Sequence, residues 1–320
     1  MPSIRRDLGD VMNTEFAERT QLWGPAFRLG SIVMVYAPRG VGKTFFVLKL
    51  AHALGSASAF MLWSAPRRTK VIIFDGEMGD QSIASRMHQI EGAAPASMAF
   101  NQIFLVNYAD CGGTMWNLSD PEHQEWYNRE IGDCDVVIVD NLLTCSYARG
   151  PRDEEFSQWA RIQPFLIRLR EAGKMVVLVH HAGKNASQYG TSLKENICDT
   201  IVGLKPVTDG GIEVRWEKLR NVPNAECPNL FFEMRSDILG SGITFEWCSM
   251  DDKFRQQVLT MNAQNIKPRE IAEILGTTRA RVAKILTEYT KGDAKDDDAK
   301  YARRALETNR KPVEENDDRF

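Results

Sequence analysis

The chain has 320 residues, 43% of them hydrophobic, which allows one large domain with a sizeable core and a smaller one. Its net charge of −3 argues against a protein that coats nucleic acid with its whole surface, and its six cysteines include no C-x-x-C pair of the kind that builds a zinc ribbon. No apolar run is long enough to span a bilayer or resembles a signal peptide, so we expect a soluble, cytoplasmic protein that makes no membrane contact.

The first part of the chain leads from a mixed segment into a strand and a helix. Residues 1–29 have no clear periodicity, which predicts an N-terminal arm with a short helix followed by a loop. Residues 31–36 are apolar and rich in β-branched side chains, as is typical of a buried strand. After a glycine-rich turn, residues 43–54 have helical character, and we expect this helix to end at Gly55.

Three more apolar runs predict buried strands, and helix-like stretches separate them. Strands that are apolar throughout and alternate with helices indicate an α/β fold with a mostly parallel central sheet flanked by helices. Ligands bind beyond the carboxyl ends of such strands, and polar residues stand at each of these ends. The three predicted strands cover residues 71–74, 136–139 and 175–179, and the helical stretches cover 81–91 and 156–172.

The pattern of apolar residues changes at about residue 201. Three short apolar runs predict a meander that extends the sheet, and a fourth run at residues 243–247 is expected to end this domain, so the main domain covers residues 30–250. Residues 251–290 have helical patterns and predict a separate small unit. Residues 291–320 are dense in both charge signs and poor in large apolar groups, which predicts a charged, mobile tail.

The strongest motif is A-P-R-G-V-G-K-T at residues 37–44, which matches the phosphate-binding loop G-x-x-x-x-G-K-[ST] except that Ala37 replaces the first Gly. Backbone N–H groups at the start of the following helix would bind a phosphate, and Lys43 would reach the β- and γ-phosphates. The Thr44 hydroxyl would coordinate Mg²⁺. We therefore predict a site for ATP and Mg²⁺. The predicted nucleotide-binding residues are Pro38, Arg39, Gly40, Val41, Gly42, Lys43 and Thr44.

The other strand ends supply candidates for hydrolysis. Asp140 is expected to hold the Mg²⁺ together with Thr44. Glu77 is favoured as the catalytic base that deprotonates the attacking water, and Asp75 competes for that role. His181 is expected to sense the γ-phosphate, while a structural histidine pair and a metal site are alternatives for His180 and His181.

Two further groups are candidates for contacts beyond this pocket. The small, polar segment 182–192 contains Lys184 and Tyr189, and it would suit contact with a nucleic-acid backbone. Lys218 and Arg220 are spaced i and i+2 on a strand and therefore point to the same side. They could stabilise charge on the γ-phosphate bound to a neighbouring subunit, or they could be solvated charges on an edge strand.

Taken together, these residues resemble the RecA-like ATPases of the replicative helicase group, in particular plasmid helicases of the RepA type and, more distantly, DnaB-like helicases. The resemblance covers about residues 20–248, and Tyr189 stands where the family leads us to expect an arginine. It implies a hexameric ring with ATP between subunits and single-stranded DNA gripped in a central pore. It also implies Glu77 as the catalytic base, and Lys218 and Arg220 acting on the neighbouring subunit.

Residues 266–286 have the pattern of a helix-turn-helix. Ile271, Ala272, Ile274 and Leu275 are expected to form the apolar face of the first helix, which Gly276 ends. Such a unit would bind duplex DNA through the start of its second helix, although a bundle for protein contacts has the same pattern. The predicted DNA-contacting residues are Arg279, Arg281 and Lys284.

Two classes of function remain open from the sequence. The first is an ATP-driven DNA motor in the replication of a plasmid, phage or mobile element. The second is a DNA-binding regulatory or accessory ATPase that uses ATP to switch its assembly without moving along DNA. A recombination-type filament is a third, weaker alternative.

Overall fold

The computed structural model describes residues 5–92, 100–113, 115–146, 152–181, 193–207, 210–236 and 242–290. The strands are β1 (Gln21–Trp23), β2 (Phe27–Arg28), β3 (Ile32–Ala37), β4 (Ala59–Phe60), β5 (Trp63–Ser64), β6 (Val71–Asp75), β7 (Ile103–Asn107), β8 (Val136–Asp140), β9 (Met175–His181), β10 (Thr200–Pro206), β11 (Ile212–Leu219), β12 (Leu230–Ser236) and β13 (Ile243–Ser249). The helices are α1 (Leu8–Met12), α2 (Lys43–Ser56), α3 (Asp80–Glu91), α4 (Pro121–Ile131), α5 (Leu142–Ser146), α6 (Arg152–Glu171), α7 (Leu193–Asn196), α8 (Met250–Ala263), α9 (Pro268–Ile274) and α10 (Arg279–Thr290).

A single large sheet organises the described residues. Its nine strands lie in the order β13-β12-β11-β10-β3-β9-β8-β6-β7. The strands from β10 to β7 in this order are parallel to one another, whereas β11, β12 and β13 are antiparallel to their neighbours. The predicted α/β fold with a mostly parallel central sheet is therefore confirmed.

The core lies on both faces of this sheet. In β3, Val33 and Val35 pack with the buried faces of α2 and α3, whereas Ile32 and Met34 pack with α4 and α6. Every residue of β3 is buried, as expected for a central strand covered on both sides. The strand therefore packs on both faces, and the phosphate loop begins where it ends.

Three local expectations differ from the structure. Leu22, Trp23 and Phe27 are fully buried, so β1 and β2 belong to the core and not to an arm. Helix α2 continues through Gly55 to Ser56, and Ala57 provides the left-handed residue that ends it. Burial of this helix against the sheet outweighs the roughly 1 kcal/mol that an interior glycine costs. The edge strand β7 and helix α4 were not predicted.

The last three described helices form a small unit. Its core contains Val258, Ile271, Ala272, Val282 and Ile285. Ile274 was expected on the inner face but is 59% exposed. Helix α8 begins directly after β13, and the Lys253 ammonium lies 4.2 Å from the centre of the Phe231 ring on β12. The unit is therefore joined to the sheet without a linker.

Helices long and apolar enough to cross a membrane do not occur in the described ranges.

Candidate active site

The carboxyl ends of four parallel strands meet at one edge of the sheet. Ala37 pairs with His181, Asp75 pairs with Asp140, and β8 is parallel to β9, so these four strands end at the same edge of the sheet. The phosphate loop follows β3 at this edge. Residues that follow these four strands therefore lie at one edge of the sheet, because parallel strands bring their carboxyl ends to one side.

The phosphate loop joins β3 directly to α2. Gly40 and Gly42 have φ angles of +79° and +101°, which L side chains rarely adopt. An added Cβ at Gly42 would lie 2.8 Å from Cε of Met234, which is the flexible end of that side chain, so the φ angle is the stronger reason for glycine here. The loop therefore presents its backbone at the first turn of α2, where N–H groups have no partner within the helix.

Lys43 lies at the mouth of the loop. Its Nζ atom donates hydrogen bonds to the carbonyl oxygens of Ala37 (3.0 Å) and Pro38 (2.9 Å). Burial lowers the pKa of the ammonium, while the carboxylates of Asp140 and Glu77 act against that shift. The nearby acids thus keep a buried cation available for phosphate.

Asp140 is buried beneath the loop. Its carboxylate is hydrogen-bonded to Thr44, and burial, followed by the charge of Glu77, raises its pKa to about 6. Its Oδ1 atom is buried without a hydrogen-bond partner among the described residues. A carboxylate oxygen left free beside a threonine hydroxyl fits the hard oxygen ligands that Mg²⁺ prefers. Thr44 and Asp140 therefore suit a Mg²⁺ ion that also binds the phosphates.

No group of three metal-binding His, Cys, Asp or Glu side chains occurs within the described ranges.

Glu77 and Asp75 have different environments. Asp75 is 1% exposed, and its carboxylate accepts hydrogen bonds from the backbone N–H groups of Met78 (2.8 Å) and Glu77 (3.3 Å). Burial raises its pKa to about 7. Glu77 instead points to His181, and a hydrogen bond from His181 lowers the Glu77 pKa. Asp75 thus shapes the turn, and Glu77 is the carboxylate available to a water molecule.

Asn141 is a site residue that the sequence reasoning missed. Its Nδ2 atom lies 3.2 Å from Nε2 of His181, and its side chain also hydrogen-bonds to Glu77. When Nε2 of His181 carries the proton, it donates to Glu77. In the other tautomer, Nε2 is unprotonated and accepts a hydrogen bond from Asn141. Its position directly after Asp140 at a strand end was the available signal.

The two cations predicted to act in trans lie far from this pocket. Thr200 pairs with Val33 near the start of β3 and with Leu219 at the end of β11, so Lys218 and Arg220 stand at the opposite edge of the sheet. The length of β3, roughly 16 Å, separates this edge from the phosphate loop. Neither cation can serve the pocket of its own chain.

The remaining predicted residues fall into two groups. Lys184 and Tyr189 lie outside the described residues. Arg279, Arg281 and Lys284 are exposed on α10 of the three-helix unit. Arg281 is engaged there, because its guanidinium lies 2.9 Å from Oδ1 of Asp251 and 4.2 Å from the centre of the Phe254 ring.

The family model described as an AAA domain matches residues 4–187, which is more than half of the chain and contains the phosphate loop, Glu77, Asp140 and His181. The chain belongs to the AAA domain family. With this family and the phosphate loop at residues 37–44, the AAA-domain protein is a P-loop ATPase. Among curated proteins, none matches it.

Solved structures with a similar fold include three that this AAA-domain protein matches over most of their length. A KaiC-like protein from Pyrococcus horikoshii OT3 is 16% identical, with 68% of this chain and 90% of that chain covered and a TM-score of 0.49. The flagellar accessory protein FlaH from Methanocaldococcus jannaschii is 13% identical, with the same coverages and TM-score. The RadB recombinase is 18% identical, with 65% and 89% covered and a TM-score of 0.47.

Proposed function

We propose that this protein is an ATP-hydrolysing DNA motor of plasmid, phage or mobile-element replication that works as a hexameric helicase. The observation that carries the proposal is the division of the predicted catalytic residues between two edges of the sheet. Lys43, Glu77 and His181 surround the phosphate loop, whereas Lys218 and Arg220 lie at the far edge. Such a division suits a ring in which each nucleotide lies between two subunits.

Within one pocket, each group has a separate task. Lys43 and the loop N–H groups bind the β- and γ-phosphates. Glu77, kept ionised by His181, takes the proton of the attacking water. A Mg²⁺ ion held by Thr44 and Asp140 would neutralise charge on the β- and γ-phosphates.

Across the interface, Lys218 and Arg220 of the neighbouring subunit stabilise the charge that develops on the γ-phosphate. The DNA contacts are assigned to Lys184 and Tyr189, which follow His181 closely in the chain. Hydrolysis of the γ-phosphate, sensed by His181, could thereby change the DNA contacts made by Lys184 and Tyr189.

A second candidate function is supported by the three-helix unit. A regulatory ATPase would bind duplex DNA through Arg279, Arg281 and Lys284 and use ATP to switch assembly. Helix α8 continues directly from β13, and the backbone N–H of Met250 donates to the carbonyl of Asn229 (3.1 Å). A rigid joint of this kind favours a DNA-binding unit that moves with the ATPase core.

The motor and the switch differ in two measurements. The motor should show ATP hydrolysis stimulated by single-stranded DNA and strand displacement on tailed duplexes, both lost in Lys43→Ala and Glu77→Gln. A hexamer that hydrolyses ATP but displaces no strand would contradict the helicase. Sizing and negative-stain images with ATP separate a ring from a filament.

For the switch, point substitutions are preferable to deletion of the three-helix unit. Removing α8 would expose Phe231, on which Lys253 packs. Duplex affinity that is unchanged in Arg279→Ala/Lys284→Ala would contradict duplex recognition by these two side chains.

A further inference from the structure

Asp199 is a buried carboxylate at the sheet edge opposite the phosphate loop. It is 8% exposed, and its Oδ2 atom accepts a hydrogen bond from the backbone N–H of Ile32 (3.0 Å). Its own N–H donates to the Ile32 carbonyl (2.8 Å), and its carbonyl accepts from the N–H of Arg220 (2.8 Å). Asp199 is therefore fixed to the first residue of β3 and to the residue that follows β11.

The same carboxylate also contacts the Arg220 side chain. Oδ1 of Asp199 lies 3.5 Å from Nη1 of Arg220, and Nη2 donates to the carbonyl of Asn196 (3.1 Å). The neighbouring cation is held similarly, because Nζ of Lys218 donates to the carbonyl of Glu195 (2.5 Å). The end of α7 and Asp199 thus hold both cations in one place.

Arg220 nevertheless stays accessible. Its side chain is 41% exposed, whereas that of Asp199 is only 11% exposed. A guanidinium has five N–H donors, and the two contacts to Asp199 and Asn196 leave others for a further anion. The buried Asp199 carboxylate thus orients the Arg220 guanidinium, whose remaining N–H groups can face solvent.

Orientation of this kind has a kinetic consequence. A free arginine side chain loses rotamer entropy when it is ordered, and catalysis by charge stabilisation depends on donors that are in place before the reaction. A buried carboxylate that is itself fixed to two strands supplies that order. The contact would therefore matter most at the transition state and little for nucleotide binding.

We propose that Asp199 is the positioning residue for Arg220, setting the direction in which this guanidinium meets the triphosphate bound to a neighbouring copy. The proposal rests on the proposed function, in which Arg220 acts across the subunit interface. The competing explanation is that Asp199 serves only the fold of its own chain, since its bond to Ile32 anchors the strand that carries the phosphate loop.

Subunit mixing separates these explanations, because one acts on the neighbour and the other on the same chain. Full-length Asp199→Asn should have a kcat about 10- to 100-fold lower with a nearly unchanged KM for ATP. Mixed with an equal amount of Lys43→Ala, which has an intact Asp199–Arg220 pair but cannot hydrolyse, it should regain activity. An active interface needs a subunit with Lys43 next to a subunit with an intact Asp199–Arg220 pair. In a random mixture of equal amounts, about a quarter of the interfaces have this arrangement, so we expect about a quarter of the wild-type rate.

Arg220→Ala mixed with Lys43→Ala is the reference for the interface itself. If that mixture recovers and the Asp199→Asn mixture does not, Asp199 acts within its own chain and the proposal is overturned, while the proposed function stands. If the reference mixture also stays inactive, Arg220 does not act in trans, and both are overturned. Wild-type activity of Asp199→Asn alone would overturn the proposal as well.

Asp135→Asn is the matched control. Asp135 precedes β8 at the same sheet edge and pairs with Arg67 at 3.3 Å, so it loses an Asp–Arg pair of the same kind. We expect it to keep wild-type kcat. Should Asp199→Asn fail to fold, as judged by circular dichroism, Asp199→Glu keeps the charge and moves it by one methylene. It should show the same loss of kcat and the same recovery in the mixture, and absence of either would overturn the proposal.

Discussion

Oε1 of Glu77 lies 2.9 Å from Nε2 of His181, although the two residues are 104 positions apart in the chain. The contact joins the ends of β6 and β9 across β8, which carries Asp140 between them. A hydrogen bond from the imidazole stabilises the ionised carboxylate, which is the form that accepts a proton. In the proposed mechanism, Glu77 would be the base and His181 would keep it ionised.

Glu77→Gln should remove hydrolysis and leave nucleotide binding intact. Gln keeps the size and an acceptor oxygen for His181 but cannot take a proton, so we expect kcat to fall by about 100-fold or more. Steady-state ATPase assays and binding of a fluorescent nucleotide measure the two effects. Glu125→Gln, an exposed acid on α4, is the control. Normal hydrolysis in Glu77→Gln would transfer the role of the base to another group such as Asp75.

His181→Phe should move the acid limb of the pH–rate profile to higher pH. The hydrogen bond from His181 is the main reason that the pKa of Glu77 lies below its usual value, and Phe removes the donor. Without it Glu77 becomes protonated at a higher pH, and the base is lost earlier as pH falls. The profile of kcat/KM reports this limb in the free enzyme. An acid limb that stays in place would mean that another group controls it.

The sequence predicted the parts of this site that local patterns encode. Runs of apolar residues placed β3, β6, β8 and β9 within two residues of their observed bounds, and the parallel arrangement then brought their ends together. The phosphate loop needs only residues adjacent in the chain. Its position between β3 and α2 was therefore within reach of sequence reasoning.

Contacts between distant residues were out of reach. The pairing of Asp199 with Arg220 depends on the register of β10 against β11, which no local pattern specifies. Strand β7 was within reach, because Ile103–Asn107 begins with four consecutive apolar residues, and this signal was overlooked. Trp23 is fully buried, but β1 and β2 have only three and two residues, which is too short for a recognisable strand pattern.

His52→Gln should reduce the loss of stability in mild acid. Burial, together with the charge of Lys49, lowers the pKa of His52 from 6.5 to about 4. Between these values the unfolded chain binds a proton that the folded chain does not, so the free energy of unfolding falls as pH drops through this window. His52→Gln lacks this titrating group. Between neutral pH and pH 4, its free energy of unfolding should therefore fall less than that of the wild type, by on the order of 2 kcal/mol.

Urea titrations at several pH values measure this effect. Asp75 and Asp140 have raised pKa values and act in the opposite direction, so the informative quantity is the difference between variant and wild type. His88→Gln, an exposed histidine on α3, should follow the wild-type curve. Parallel curves for His52→Gln and wild type would show that His52 contributes nothing to acid sensitivity.

Substitutions on α10 should separate DNA contact from packing. Arg281 stacks on Phe254 and pairs with Asp251, so Arg281→Ala should cost the three-helix unit about 1 kcal/mol, whatever its effect on DNA. Arg279 is exposed, and the ammonium of Lys284 lies 3.8 Å from Glu288 with 76% of its side chain exposed. Their replacement by Ala should leave the melting temperature unchanged.

For duplex DNA, Arg279→Ala and Lys284→Ala should each weaken binding and reduce the slope of log K against log salt by about one. Fluorescence anisotropy at several salt concentrations measures both quantities. Arg281→Ala gives no clean answer, because weaker binding would follow from a loosened unit as well as from a lost contact. A duplex affinity and salt slope that survive in the double variant Arg279→Ala/Lys284→Ala would contradict DNA contact by these two side chains and would leave exposed Arg281 as the remaining predicted contact on α10.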